Sequence, residues 1–135
     1  MGMPNMKKIE TDYMHDLMVA LGSCPNIRIW RQNTGEVVTR DRTGRPTGVF
    51  KAGPPNGAAD LSGIVFGSGK RLEIECKRDR GKANKDQENW RAMIERAGGI
   101  HVLVHFDSDL TDQENINRAK DLVLRSCSEA ENTRP

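Results

Sequence analysis

Apolar positions recur at helical spacing from Ile9 to Leu21, with Ile9, Tyr13, Leu17, Ala20 and Leu21 near one face and Gly22 following as a helix-ending residue. The period then shortens. In "NIRIWRQ" Ile27 and Ile29 alternate with Arg28 and Arg31, less cleanly at Trp30, as in a short strand. Between Gln32 and Gly57 glycines are frequent and periodicity is slight, although "EVVTR" and "TGVFK" can pair as a hairpin around "RTGRP". "DLSGIVF", "GSG" and "KRLEIECK" then read as strand, tight turn and strand. Asn84 opens a helix whose stripe is Trp90, Met93, Ile94 and Ala97, closed by Gly98 and Gly99. "IHVLVHF" is a short, β-branched apolar run of the buried-strand type. A last helix from about Thr111 to Cys127 carries Ile116, Ala119, Leu122 and Val123, and a frayed end is expected after Ser128.

This order predicts an α/β fold: a small mixed sheet flanked by helices, in which the helix after the second hairpin is a crossover laying "IHVLVHF" parallel to a neighbouring strand. A chain of 135 residues has room for one core, so residues 1–128 are expected to form a single domain, with 129–135 as a disordered tail. Hydrophobic residues at 36% and charged residues at 30% fit a globular, aliphatic-cored protein. No apolar run approaches the roughly 20 residues of a membrane span, and "MGMPN" is followed by lysines without an apolar signal core. The expectation is a cytoplasmic protein with no membrane partner. Cys24, Cys76 and Cys127 are odd in number and without a CxxC pair, which supports neither a disulfide framework nor a zinc knuckle.

The net charge is only +2, but it is unevenly spread. Arg28, Arg31, Arg40, Arg42, Arg45 and Lys51 face only Glu36 and Asp41 in one segment. A second basic segment runs from Lys70 to Lys85 and includes Arg78 and Lys82, whereas the stretch after Asp107 is acidic. Two basic segments around a group of carboxylates suit a polyanion that must approach a cation, because the bases displace counterions while the acids hold the metal. Ordinary solvated loops would produce the same imbalance.

In "RLEIECK" the strand period sets Glu73, Glu75 and Lys77 on one face and Leu72, Ile74 and Cys76 on the other. Asp60 lies just across the hairpin. If "SG" is a two-residue turn, Gly67 pairs with Lys70, and Asp60 falls opposite Lys77, diagonal to Glu75 and on the same face. A one-residue slip would turn Asp60 into the core, which is costly for a carboxylate. Two converging carboxylates can hold a hard divalent cation such as Mg²⁺, and a lysine beside them can position water or neutralise the charge that builds on phosphorus. An alternating charged strand face with a cross-strand ion pair is the bland alternative.

"GAADL", a hairpin, "EIECK" and "DQENW" stand in the order and spacing of the PD-(D/E)xK nuclease signature, and the stretch from about Glu10 to Phe106 most closely resembles the VRR-NUC group of that superfamily. The resemblance implies a restriction-endonuclease-like core with elements in the order α-β-β-β-α-β and a metal-dependent DNA endonuclease using Mg²⁺ or Mn²⁺. It implies Asp60, Glu75 and the backbone carbonyl of Cys76 as metal ligands, Lys77 as the catalytic lysine and Gln87 as an accessory polar residue. "WRQNTGE" is similar to the family's upstream Arg-x-Asn-x-Gly segment, which would set Arg31 and Asn33 beside DNA together with Arg40, Arg42, Arg45, Arg78 and Lys82. Glu10 resembles the glutamate of the family's first helix, with Asp12 and Asp16 as alternatives. Stand-alone members act on branched DNA such as four-way (Holliday) junctions, often in a phage setting, and work as homodimers, so the same is expected here. Two departures stand out: Ala59 replaces the signature proline, and Glu73 adds a third acid that either shares the ligand or lies further out.

Other candidates have simpler readings. Asn84 and Gln87 have the spacing of a capping box. His101 and His105 share a strand face without the helical spacing of a zinc pair, and His15 is remote, so core or edge histidines are expected. Cys76 faces the core and reads as a small hydrophobe. "GPPNG" has no Lys-Ser/Thr after its glycines and is no phosphate loop. The rival functions are a non-catalytic DNA-binding module on the same fold and a nuclease acting on duplex ends or RNA.

Overall fold

The computed structural model describes residues 9–32 and 35–132. Among these, three helices and six strands follow one another as α1 (Glu10–Gly22), β1 (Ile27–Arg31), β2 (Gly35–Arg40), β3 (Pro46–Ala52), β4 (Leu61–Val65), β5 (Arg71–Arg78), α2 (Lys85–Arg96), β6 (Ile100–Phe106) and α3 (Asp112–Asn132). The strands β1, β4, β5 and β6 lie side by side in that order, the first three antiparallel and β6 parallel to β5, as the crossover through α2 requires. The protein is therefore mixed α/β, with a mixed sheet flanked by helices. The strands β2 and β3 form a separate antiparallel ribbon inserted between β1 and β4, pairing Val37 with Phe50 and Val38 with Val49.

One face of the sheet answers to the aliphatic positions of the sequence. Leu61, Val65, Leu72, Ile74, Cys76, Val102 and Val104 pack against Tyr13, Met14, Leu17 and Leu21 of α1 and Ile116, Ala119, Val123 and Cys127 of α3, all of them buried. Each large aliphatic residue withdrawn from water contributes about 1.5–3 kcal/mol before the entropy of ordering it is counted. Tyr13 stacks on Phe106 with ring centroids 4.7 Å apart, joining α1 to the end of β6. The odd-numbered positions of β5 point the other way, toward α2. Both faces of β5 are consequently buried from Leu72 to Cys76, so the alternating charges of this strand do not form a solvated face.

Three local expectations change. The β4–β5 turn is not the two-residue "SG" loop but the four residues Phe66–Gly69, closed by Val65 N donating to Lys70 O at 3.0 Å and Gly69 N donating to Val65 O at 2.9 Å. Gly67 and Gly69 both adopt positive φ, the conformation that favours glycine. The register moves by two residues, which preserves parity. Secondly, α1 closes at Ser23 in the right-handed region, so Gly22 is its last helical residue and not a left-handed cap. Thirdly, α3 continues to Asn132, beyond the frayed end expected after Ser128. Lys70 reaches across from the hairpin and donates to the Ala130 carbonyl at 2.9 Å, setting a cation at the negative end of the helix dipole. No helix among the described residues is long and apolar enough to cross a membrane.

Candidate active site

Leu61 pairs with Ile74 and Ile64 with Arg71 across β4 and β5. Continued by one step, this register sets Asp60 directly against Glu75, closer than the diagonal arrangement that a two-residue turn would give. Asp60 lies just past the ladder, and its carboxylate replaces the strand: Asp60 Oδ2 accepts from Cys76 N at 2.8 Å. A residue in a strand directs its N–H and C=O to the same side, so the Cys76 carbonyl opens toward Asp60 as well. On the other side, Gln32 N donates to Asp60 O at 2.9 Å and extends the β1–β4 pairing by one bond.

Around Glu75 the polar groups converge. Gln87 Nε2 donates to Glu75 Oε1 at 2.8 Å, and Lys77 Nζ stands 3.7 Å from the same oxygen. Among the described residues Glu75 Oε2 is buried with no hydrogen-bond partner. Burial is the largest influence on Glu75 and pushes its carboxyl up to about 8; the Asp60 charge adds to this, Lys77 opposes it, and Glu10 adds again. Asp60 is also raised, first by burial, against the Cys76 amide, Lys77, the adjoining Glu75 carboxyl and Arg31. Two carboxyls this close in a poorly solvated corner resist carrying two negative charges.

The three candidate acids of the first helix differ in what surrounds them. Glu10 is raised by burial and by Asp60, and lowered by Lys77 and Arg78, so it lies within reach of the pair. Asp12 instead accepts from Ile9 N at 3.3 Å and caps α1. Asp16 lines a cleft with Val19, Asp112 and Ile116, between α1 and α3.

Among the described residues, no three His, Cys, Asp or Glu side chains form a group that could hold a metal ion. Two carboxylates and a main-chain carbonyl do suit Mg²⁺ or Mn²⁺, which take oxygen ligands and keep several waters, better than zinc with its four nitrogen or sulfur ligands. The unpartnered Glu75 Oε2 is the atom that such a cation would satisfy. Glu73 does not join the pair: its side chain is fully buried and accepts from Trp90 Nε1 at 3.1 Å and from Gln32 Nε2 at 3.4 Å.

Gln87 closes the capping box and reaches Glu75 at the same time. Its main chain donates to Asn84 Oδ1 at 2.9 Å and its side-chain oxygen accepts from Asn84 N at 3.0 Å, while its amide nitrogen holds Glu75. The expected nucleic-acid residues divide into groups. Arg31 and Arg78 sit beside the acids, each felt by a site carboxyl. Arg40, Arg42 and Arg45 are exposed at the end of the ribbon, and Lys82 is exposed between β5 and α2. Asn33 lies outside the described residues.

The remaining candidates stay outside the chemistry. His101 is buried, and desolvation with the nearby Arg91 pushes it down to about 4; Glu95 opposes them. His105 Nε2 lies 2.9 Å from Gly81 O. Burial, reinforced by Asp60, Glu75 and Glu10, pushes the Cys76 thiol far up, which removes it as a nucleophile.

Sequence reasoning missed Gln32, Arg71 and Gly57. Gln32 carries no periodic signal, and Arg71 is a single charge at the start of a strand. Gly57 has φ +92, and a side chain there would run into the Asp86 carbonyl, so the turn before Asp60 packs closely on the start of α2. Its positive φ was hinted at only by the neighbouring "PPNG". No model of a known protein family matches the chain, and no curated protein matches its sequence.

Proposed function

We propose that this protein is a divalent-cation-dependent DNA endonuclease, with a restriction-endonuclease-like core of the VRR-NUC kind. The observation that carries the reading is Glu75 Oε2, a buried carboxylate oxygen without a hydrogen-bond partner among the described residues, in a side chain that feels a second carboxylate, Asp60, from the neighbouring strand. A structural ion pair would satisfy that oxygen. Asp60 and Glu75 would hold Mg²⁺ or Mn²⁺, with the Cys76 carbonyl and water completing the sphere and Glu10 close behind. When bound, the cation supplies Lewis-acid activation of water and neutralises charge at the phosphate. Lys77, tethered beside Glu75, stabilises the negative charge that builds on the phosphoryl oxygens, and Gln87 fixes the Glu75 rotamer so that one oxygen stays turned to the site. Arg31 and Arg78 orient the scissile phosphate, and the ribbon arginines grip a more distant part of the backbone.

Branched DNA and a homodimer complete this reading. Val37, Val38, Val49 and Phe50 are exposed on both faces of the ribbon, and an isolated two-stranded ribbon is marginal in water, which favours a covering partner. A cleavage assay on duplex, flap, fork and four-way-junction DNA, with and without Mg²⁺ or Mn²⁺, tests the proposal. The expected result is metal-dependent nicking, strongest on the branched substrates. Tight metal-independent binding to every DNA without any cut would instead support a non-catalytic module, the reading favoured by the lack of a third side-chain ligand among the described residues.

A further inference from the structure

Glu73 stands two residues before Glu75 on the same face of β5, and its side chain is fully buried. A carboxylate withdrawn from water is costly unless it is hydrogen-bonded or paired, and an apolar residue could fill the same space. Its partners come from elements that carry the candidate site. Gln32 donates to it from the end of β1, and the same residue clamps the turn that bears Asp60: Gln32 Nε2 donates to Ala59 O at 3.2 Å and Gln32 N to Asp60 O at 2.9 Å. Trp90 donates to it from α2, three residues after Gln87 and on the same helix face. Arg71 Nη2 donates to Gln32 Oε1 at 3.0 Å and stands 3.6 Å from Glu73, which turns the Gln32 amide nitrogen toward the carboxylate.

We propose that Glu73 is a positioning residue for cation binding: it ties the Asp60 turn and α2 to β5, so that Asp60 and Gln87 meet Glu75 in one geometry. The inference rests on the reading of Asp60 and Glu75 as cation ligands. Glu73 is not itself a ligand, because both of its oxygens already accept from Gln32 and Oε1 also from Trp90. It resembles the outer carboxylates that orient metal-binding groups in other proteins, whose loss weakens binding without removing a ligand.

Titration calorimetry with Mn²⁺ on wild-type protein, Glu73→Gln, Trp90→Phe and Glu75→Gln tests this, with circular dichroism to verify the fold. Trp90→Phe keeps an aromatic ring, though a smaller one, and removes the N–H while leaving Glu73 itself in place, so it serves even if Glu73→Gln folds poorly. The expected result is an unchanged stoichiometry with affinity weakened on the order of tenfold in Glu73→Gln and Trp90→Phe, and no binding in Glu75→Gln. Wild-type affinity in both Glu73→Gln and Trp90→Phe would make the network a structural element only and overturn the proposal. Loss of all binding in Glu73→Gln with wild-type affinity in Trp90→Phe would make Glu73 a ligand and overturn it too. Wild-type protein that binds no Mn²⁺ would remove the cation reading, and this role with it, whatever the variants do.

Discussion

Gln87 holds Glu75 with its side-chain amide while the same side chain and its own main chain close the capping box with Asn84. The start of α2 is thus fixed to a buried carboxyl that desolvation and the Asp60 charge push up to about 8.

The two roles separate by mutation. Asn84→Ala removes the cap and should cost about 1 kcal/mol of stability while leaving the Glu75 contact available. Gln87→Ala removes the Glu75 contact and the side-chain half of the capping box but keeps the Gln87 N to Asn84 Oδ1 bond, and it should lower cleavage on the order of ten- to a hundredfold, well beyond the effect of Asn84→Ala. Urea unfolding and single-turnover cleavage of both variants check the split; equal losses of activity would mean that Gln87 acts through the helix alone.

Asp60 and Glu75 repel one another without a counter-ion, and Glu75 carries the larger burden because it is buried. Glu75→Gln keeps the shape and removes the carboxyl whose ionisation the site resists. It should raise the melting temperature of the cation-free protein, abolish cleavage, and eliminate the further rise that millimolar Mg²⁺ produces in the wild type. A Mg²⁺-induced rise of the same size in Glu75→Gln would place the cation elsewhere.

The parity of β5 was legible because a strand alternates faces and Leu72, Ile74 and Cys76 mark one of them without ambiguity. That parity survived a wrong turn length: the four-residue loop shifts the register by two, an even number, and Asp60 still meets Glu75. The division of labour between Glu73 and Glu75 was not legible. Both point to the same face, and only the approach of Trp90 and Gln32, 17 and 41 residues away in sequence, assigns them different partners. The end of α3 was misjudged for a related reason. Its last turn looked like a polar tail until Lys70, 60 residues earlier, met the Ala130 carbonyl. Local pattern carries elements and faces, whereas long-range hydrogen bonds decide what polar side chains do.

His101 is buried and held well below its ordinary value, so it stays neutral in the fold near pH 7. As pH falls below about 6.5 the unfolded chain takes up the proton first, and stability is lost progressively until the folded value of about 4 is passed. The loss approaches about 3 kcal/mol at roughly 1.4 kcal/mol per unit. His101→Leu should flatten this part of the curve, read as the difference between variant and wild type in urea unfolding at pH 4 to 7. Parallel curves would show that another group controls acid sensitivity there.

The ribbon tip is organised before any partner arrives. Asp41 Oδ1 accepts from Thr43 N at 2.8 Å, Thr43 Oγ1 at 2.6 Å and Arg45 N at 3.0 Å, and Arg40 Nη1 donates to Gly44 O at 2.9 Å. These bonds hold the Asp41 carboxyl below its usual range, led by the Thr43 hydroxyl, so it stays ionised and keeps the turn closed. Arg40, Arg42 and Arg45 are therefore displayed on a fixed loop. Replacing all three with alanine should weaken DNA binding at low salt and reduce the slope of log affinity against log salt by about 0.9 for each phosphate that these arginines neutralise. Asp41→Ala should unlock the loop while keeping every arginine, so it should weaken binding yet leave the salt slope close to wild type. Fluorescence anisotropy with labelled DNA from about 50 to 300 mM salt distinguishes the two variants. An unchanged slope in the triple variant would mean that the ribbon does not touch the backbone, and its exposed Val49 and Phe50 would then be left to a protein partner.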